Sequence, residues 1–133
     1  YQLKDLNNIH YIFIGEGAKK NIIENKIKKY SLNNCLVLPY QPLDVLPYSM
    51  GCADIAVVTT DLKQSGLSVP SKTYSYLSTG SALLCIADIN SEVGRLTIEN
   101  EIGMCFSSND IASFGQTLLH LCAKHPRQSS VTS

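Results

Sequence analysis

Short apolar runs alternate with longer amphipathic stretches along this chain. The run Tyr11-Ile12-Phe13-Ile14 is β-branched and aromatic and ends at Gly15, which is a strand signal. The same reasoning predicts strands over residues 9–14, 36–38, 54–59, 82–87 and 103–106, and helices over residues 18–30, 44–52, 71–79, 91–100 and 109–124. Because the strands are apolar on both faces and helices separate them, the alternation predicts an α/β fold: an open, mainly parallel sheet with helices on both faces.

The length and the net charge of the chain argue against several classes of function. The chain has 133 residues with 11 Lys+Arg and 11 Asp+Glu, so a uniformly basic surface for nucleic acid is not expected. The longest stretch without a charged residue, 73–87, is too short and too polar to span a bilayer. The sequence opens at Tyr1 without a signal pattern, and we interpret it as a piece of a longer protein. We expect one domain over residues 1–126 and a frayed polar tail over 127–133.

The five cysteines indicate a structural role and no disulfide framework. Their number is odd, none forms a C-x-x-C pair, and each lies inside or beside an apolar stretch. This usage favours a reducing, cytoplasmic setting. No metal site is expected, because His120 and His125 have no cysteine or carboxylate grouped around them.

A G-x-G turn follows the first predicted strand. Gly15 and Gly17 flank Glu16, and glycine at this place permits close backbone approach to a ligand. The third glycine of a dinucleotide fingerprint is missing, since Asn21 stands near its position. Gly15 and Glu16 are therefore candidates for lining a ligand cleft, and a plain strand-to-helix turn is the alternative.

The segment from Lys63 to Tyr74 has the features of an anion site. Pro70 and Ser71 mark the start of a predicted helix, whose free N–H groups and dipole attract negative charge. Lys72 places a full positive charge in the first turn, where the helix itself would favour an acid. Together with Gly66, this segment is predicted to bind a diphosphate. The alternative is that Lys72 is simply a solvated surface lysine.

Five lysines cluster on the first predicted helix: Lys19, Lys20, Lys26, Lys28 and Lys29. Such a cluster is usually a solvated face. The second interpretation is a basic edge that faces anionic lipid head groups.

The order of these motifs resembles the C-terminal, nucleotide-sugar-binding domain of family 4 glycosyltransferases, which have the two-domain GT-B fold. The most specific match is V-P-S-K-T-Y-S-Y-L-S-T-G-S at residues 69–81, which is similar to the P-S-K-x-Y-x-Y-x-A-x-G-x-P pattern of a bacterial subgroup that builds surface polysaccharides. Residues 11–17, 35–42 and 46–55 resemble other segments of that domain. The resemblance runs from Ile9 to Leu121.

The resemblance implies a Rossmann-like domain that binds a nucleotide-diphosphate sugar. The sugar would pass to a polysaccharide or lipid-linked acceptor with retention and without a metal or other cofactor. An acceptor-binding N-terminal domain of the same protein would be the missing partner, and the enzyme would work in the cytoplasm, in peripheral contact with the inner face of the membrane. The implied roles are diphosphate binding by Gly66, Ser71 and Lys72, ribose or base binding by Tyr40, Gln41 and Ser75, and cleft lining by Gly15 and Glu16. No catalytic residue is assigned.

The chain departs from this family in its acidic pair. The family's E-x7-E signature would place acids near Leu67 and Ser75, and neither residue is acidic. This departure keeps open a second hypothesis, a non-catalytic α/β binding or interaction domain derived from the same fold. A receiver-type signalling domain is disfavoured, since its third strand would end in an acid and this one ends in Thr59-Thr60.

Overall fold

The computed structural model describes residues 4–6, 8–60, 69 and 71–124. Within these residues five strands alternate with five helices, as the sequence pattern predicts. The elements are β1 (Tyr11–Ile14), α1 (Lys20–Lys29), β2 (Cys35–Leu38), α2 (Leu46–Gly51), β3 (Ile55–Thr59), α3 (Ser71–Ser78), β4 (Ala82–Ile86), α4 (Glu92–Glu99), β5 (Gly103–Phe106) and α5 (Ile111–Lys124). The predicted α/β class is confirmed.

Every strand pair in the described part of the chain is parallel. β1 pairs with β2, and a second sheet has the order β3-β4-β5. The described residues fall into two compact units, one within Tyr1–Gln41 and Gly115–Ser133 and the other within Pro42–Phe114. The parallel pairing of consecutive strands, each joined through a helix, is the Rossmann-like arrangement. The assignment of residues 1–126 to one domain stays a prediction.

The core of the second unit lies around the middle strand. In β4, Leu83, Leu84 and Cys85 are almost completely buried, because the strand has a neighbour on each edge and α3 and α4 pack against it. Gly103 lets β5 approach closely: a Cβ there would lie 1.8 Å from the carbonyl oxygen of Leu83. Burial raises the pKa of the Cys85 thiol to about 12, and Cys105 on the neighbouring strand adds to the shift.

Local signals fix where the helices begin and end. Ser91 caps α4, since its hydroxyl oxygen accepts a hydrogen bond from the Gly94 amide at 3.2 Å. The Asp110 carboxylate accepts from the Ser113 amide at 3.4 Å in the first turn of α5. Gly80 follows α3 with φ +79°, the left-handed conformation that terminates helices. The short turn after α3 therefore connects the helix directly to β4.

Candidate functional site

The carboxyl ends of β1 and β2 carry the first group of predicted site residues. Ile14 and Leu38 are register partners, so the turns that follow them leave the sheet side by side. The Gly15 amide donates to the Leu38 carbonyl at 3.0 Å. Parallel α/β sheets bind ligands at this edge.

Gly15, Glu16 and Tyr40 lie together there. The Tyr40 hydroxyl donates to the Glu16 backbone carbonyl at 3.2 Å. Gly15 has φ +139°, which disfavours other residues, and a Cβ on it would lie 3.3 Å from Cε1 of Tyr40. The glycine therefore leaves room for the tyrosine ring, which stays 65% exposed. Three of the predicted residues thus form one cluster, which we call the Tyr40 cluster.

Charge in the Tyr40 cluster is locally balanced. Lys20 donates to both carboxylate oxygens of Glu16, at 2.9 and 3.0 Å. This hydrogen bond raises the pKa of Lys20, and nearby Glu24 also favours its charged form. Lys20 was not singled out from the sequence as a partner of Glu16, although Glu-x-x-x-Lys spacing is a signal for such a pair.

Gln41 follows the Tyr40 cluster but turns back on its own backbone. Its side-chain Nε2 donates to the Pro39 carbonyl at 3.0 Å. The amide oxygen of Gln41 remains as the polar group that could face a ligand.

The second group of predicted residues lies at the start of α3. Ser71, Lys72 and Ser75 are all exposed, and Ser71 and Ser75 share one side of the helix because they are four residues apart. No acidic residue lies in the first turn. The first N–H groups of an α-helix have no partner within the helix, so this end combines amides that the helix itself does not satisfy with the Lys72 ammonium. Gly66 and Leu67 lie outside the described residues.

Two buried threonine hydroxyls border the segment that joins β3 to α3. Thr60 follows β3, and its amide donates to the Ile86 carbonyl at the end of β4 at 3.2 Å. Thr73 lies in the first turn of α3 and is completely buried. Neither hydroxyl oxygen has a hydrogen-bond partner within the described part of the chain. Both hydroxyls add buried polar groups at the two ends of the segment between β3 and α3.

A separate groove of about 380 Å³ opens at the other end of the two-stranded sheet. Its lining includes His10, just before β1, and Asn34, just before β2, together with Lys4, Asp5 and Asn33. These residues precede the strands, whereas the predicted site residues follow them.

The described residues contain no group of three or more His, Cys, Asp or Glu side chains placed to hold a metal ion. None of their helices combines the length and the apolar character that a bilayer crossing needs. The cysteines of the chain are free, and Cys52 is exposed where the sequence led us to expect an apolar setting.

This chain is similar to a curated bacterial protein. The chain is 28% identical over 116 residues to the probable glycosyltransferase WbjE of Pseudomonas aeruginosa. The match covers 84% of this chain and 28% of that protein, so the chain spans little more than a quarter of its relative's length. No protein-family model and no solved structure gives a significant match. The similarity supports a glycosyltransferase.

Proposed function

We propose that this chain is the donor-binding part of a glycosyltransferase. It would bind a nucleotide-diphosphate sugar, whose sugar passes with retention to a polysaccharide or lipid-linked acceptor. The similarity to WbjE over 84% of the chain supports the reaction class. The family 4, GT-B assignment rests on the motif at residues 69–81, and we propose it on that ground.

The observation that carries the donor-binding role is the start of α3. Its first-turn amides, its lack of a first-turn acid and the Lys72 ammonium together favour an anion. A diphosphate would accept hydrogen bonds from the amides and from the Ser71 hydroxyl, while Lys72 would neutralise part of its charge. Ser75, one turn further on the same side, is proposed to reach a ribose hydroxyl.

The Tyr40 cluster is proposed to recognise the nucleoside. An exposed aromatic ring offers a stacking surface for a base, and the hydrogen bond to Glu16 fixes its orientation in advance. The Gln41 amide oxygen would accept a hydrogen bond from the base edge. The Glu16 carbonyl accepts from the Tyr40 hydroxyl, and the missing side chain at Gly15 leaves room for the ring.

The proposed catalysis depends on where negative charge develops during sugar transfer. When the bond to the sugar breaks, negative charge grows on the departing diphosphate, and donors already aimed there lower the barrier. Amides and Lys72 would supply this stabilisation without a metal ion. The acceptor would be held by other parts of the full-length protein, so we expect the 133-residue chain to bind donor without transferring sugar. We place the full-length enzyme in the cytoplasm.

Nucleotide-induced stabilisation tests this function. UDP, GDP and other nucleoside diphosphates are added to the chain, and the melting temperature is followed by circular dichroism. A ligand at about ten times its Kd adds about 1.4 kcal/mol, which raises the melting temperature by about 5 °C. The increase should disappear in Lys72→Ala and persist in Arg95→Ala, which removes an exposed cation from α4.

The competing function is a non-catalytic α/β binding domain. Ser75 favours it, because serine stands where the family holds the ribose with a carboxylate. If no nucleoside diphosphate stabilises the chain at millimolar concentration, donor binding is wrong and the binding-domain hypothesis is retained. If one does so and Ser75→Glu strengthens the effect, the site is a weakened donor site.

A further inference from the structure

Helix α1 separates its charges between two sides. Lys20 pairs with Glu16 and is also influenced by Glu24, so both acids lie with that lysine. Lys26, Lys28 and Lys29 form no ion pair among the described residues, and all three are exposed. Lys28 follows Glu24 by four residues and so lies on the side of the acids. Lys26 and Lys29 lie on the opposite side of the helix, which carries positive charge and no carboxylate of the helix itself.

An apolar side chain lies within this basic side. Ile22 is 54% exposed and stands four and seven residues before Lys26 and Lys29, a spacing that puts the three on one stripe. Ile23 and Ile27, by contrast, are partly buried and hold the helix to its unit. We call the exposed stripe of Ile22, Lys26 and Lys29 the basic face.

The position of the lysines has one explanation within the helix itself. Lys26, Lys28 and Lys29 lie in its last turn, where cations offset the negative end of the helix dipole. Lys29 also lies over the Tyr30 ring, with Nζ 5.3 Å from its centroid. The helix dipole does not explain why Ile22, beside these lysines, is half exposed to water. Exposure of an apolar side chain is unfavourable relative to its burial.

We propose that the basic face binds the surface of an anionic lipid bilayer. Lysine ammonium groups would lie at the level of the lipid phosphates, and Ile22 would enter the boundary between head groups and acyl chains. The charge complementarity is local, because the chain as a whole is neutral. This surface is distinct from the proposed donor site and does not depend on it.

Vesicle sedimentation tests the proposal. The 133-residue chain is mixed with vesicles of phosphatidylcholine alone or with rising fractions of phosphatidylglycerol. We expect sedimentation only with the anionic lipid, and loss of binding as ionic strength rises from ~0.05 M to ~0.5 M, because the exposed charges are then screened. Each lysine near an anionic surface contributes about fivefold to the partition coefficient, so K26E/K29E should lower it at least about tenfold.

Charge-matched controls distinguish binding by the basic face from a general effect of the net charge of the chain. K4E/R95E changes the net charge by the same amount through exposed cations outside α1 and should bind vesicles as the parent chain does. Equal loss in both double variants would overturn the proposal, and so would sedimentation of the parent with phosphatidylcholine alone. Far-UV circular dichroism confirms that each variant remains folded.

The isoleucine distinguishes a membrane from another polyanion. Ile22→Ser should weaken binding to anionic vesicles several-fold and leave binding to double-stranded RNA unchanged. If the parent chain binds that RNA as tightly as the vesicles and Ile22→Ser affects neither, the face is a general polyanion surface and the membrane proposal is wrong.

Discussion

The two parallel sheets are built from similar apolar runs but bury them to different degrees. In the three-stranded sheet, Leu84 in β4 is only 1% exposed. In the two-stranded sheet, Ile12 and its register partner Leu36 are each about half exposed. The difference comes from position in the sheet, because β4 has a strand on each edge and helices packed against it. Apolar character alone therefore predicts a strand, and topology decides how much that strand stabilises the fold.

The three-stranded sheet thus supplies most of the buried core, whereas the two-stranded sheet is more exposed and presents the Tyr40 cluster at its carboxyl end. If this division is correct, equivalent substitutions should be costly in the three-stranded sheet and mild in the two-stranded one. Substitutions in the Tyr40 cluster should affect nucleotide binding more than stability.

The largest effect is expected from truncation of a buried leucine. Leu84→Ala removes side-chain volume from a completely packed position and should lower the free energy of unfolding by about 3 kcal/mol. The matched change Ile12→Ala should cost less than about 1 kcal/mol, because half of that side chain is already in water. Urea unfolding followed by far-UV circular dichroism measures both. Equal losses of stability would show that the two sheets do not differ in what their apolar side chains contribute.

Substitutions of two glycines are expected to have the next largest effect on stability. Gly103→Ala places a Cβ against the Leu83 carbonyl and should cost about 2 kcal/mol, since β4 and β5 must separate to accept it. Gly115→Ala in α5 meets no neighbouring atom and should instead stabilise the helix by about 1 kcal/mol. The same urea titration shows whether each substitution lowers or raises the free energy of unfolding. A stabilising Gly103→Ala would show that β4 and β5 are not closely paired.

Alkaline pH should weaken the three-stranded sheet moderately. Burial raises the pKa of Cys85 to about 12 in the folded chain, above its unfolded value near 9. Between these values the folded state keeps a proton that the unfolded state has lost, so stability is complete below about pH 9 and falls as pH rises, by at most about 1.4 kcal/mol per pH unit. Melting temperatures from pH 8 to 10.5 in the parent chain and Cys85→Ala test this. Parallel pH profiles would contradict it.

The smallest effect on stability is expected in the Tyr40 cluster. Tyr40→Phe removes an exposed hydrogen bond to the Glu16 carbonyl and should change the free energy of unfolding by less than about 0.5 kcal/mol. Nucleotide affinity should fall several-fold, because the ring is no longer held in one orientation. Tyr40→Ala should reduce affinity further by removing the stacking surface. A large loss of stability with unchanged affinity would make Tyr40 a packing residue.

Much of the fold is visible in the sequence because its local signals agree. Gly103-Met104-Cys105-Phe106 is predicted and found as a strand, and Ser91 is predicted and found as the cap of α4. Most other boundaries shift by one or two residues, where helix ends and strand ends lose their hydrogen bonds gradually. The partition of the strands into two sheets could not be predicted, because pairing depends on contacts between residues far apart in sequence.

The candidate site is predictable only in part. The turn at Gly15 and the aromatic at Tyr40 follow from strand-end positions, but the hydrogen bond that joins Tyr40 to Glu16 depends on the register of β1 with β2. The buried hydroxyl of Thr73 could not be anticipated, since a threonine between Lys72 and Tyr74 gives no sign of which side of α3 it occupies. Residue identity thus indicates the chemistry of a site more readily than its geometry.

Calorimetric titration of the chain with matched nucleotides tests donor binding most directly. A nucleoside diphosphate and its monophosphate are compared on the parent chain, Lys72→Ala and Arg95→Ala. We expect the parent chain and Arg95→Ala to bind the diphosphate more tightly than the monophosphate, and Lys72→Ala to lose that preference. Equal affinity for the two nucleotides in all three chains, or no binding to any of them, would contradict a diphosphate site at the start of α3.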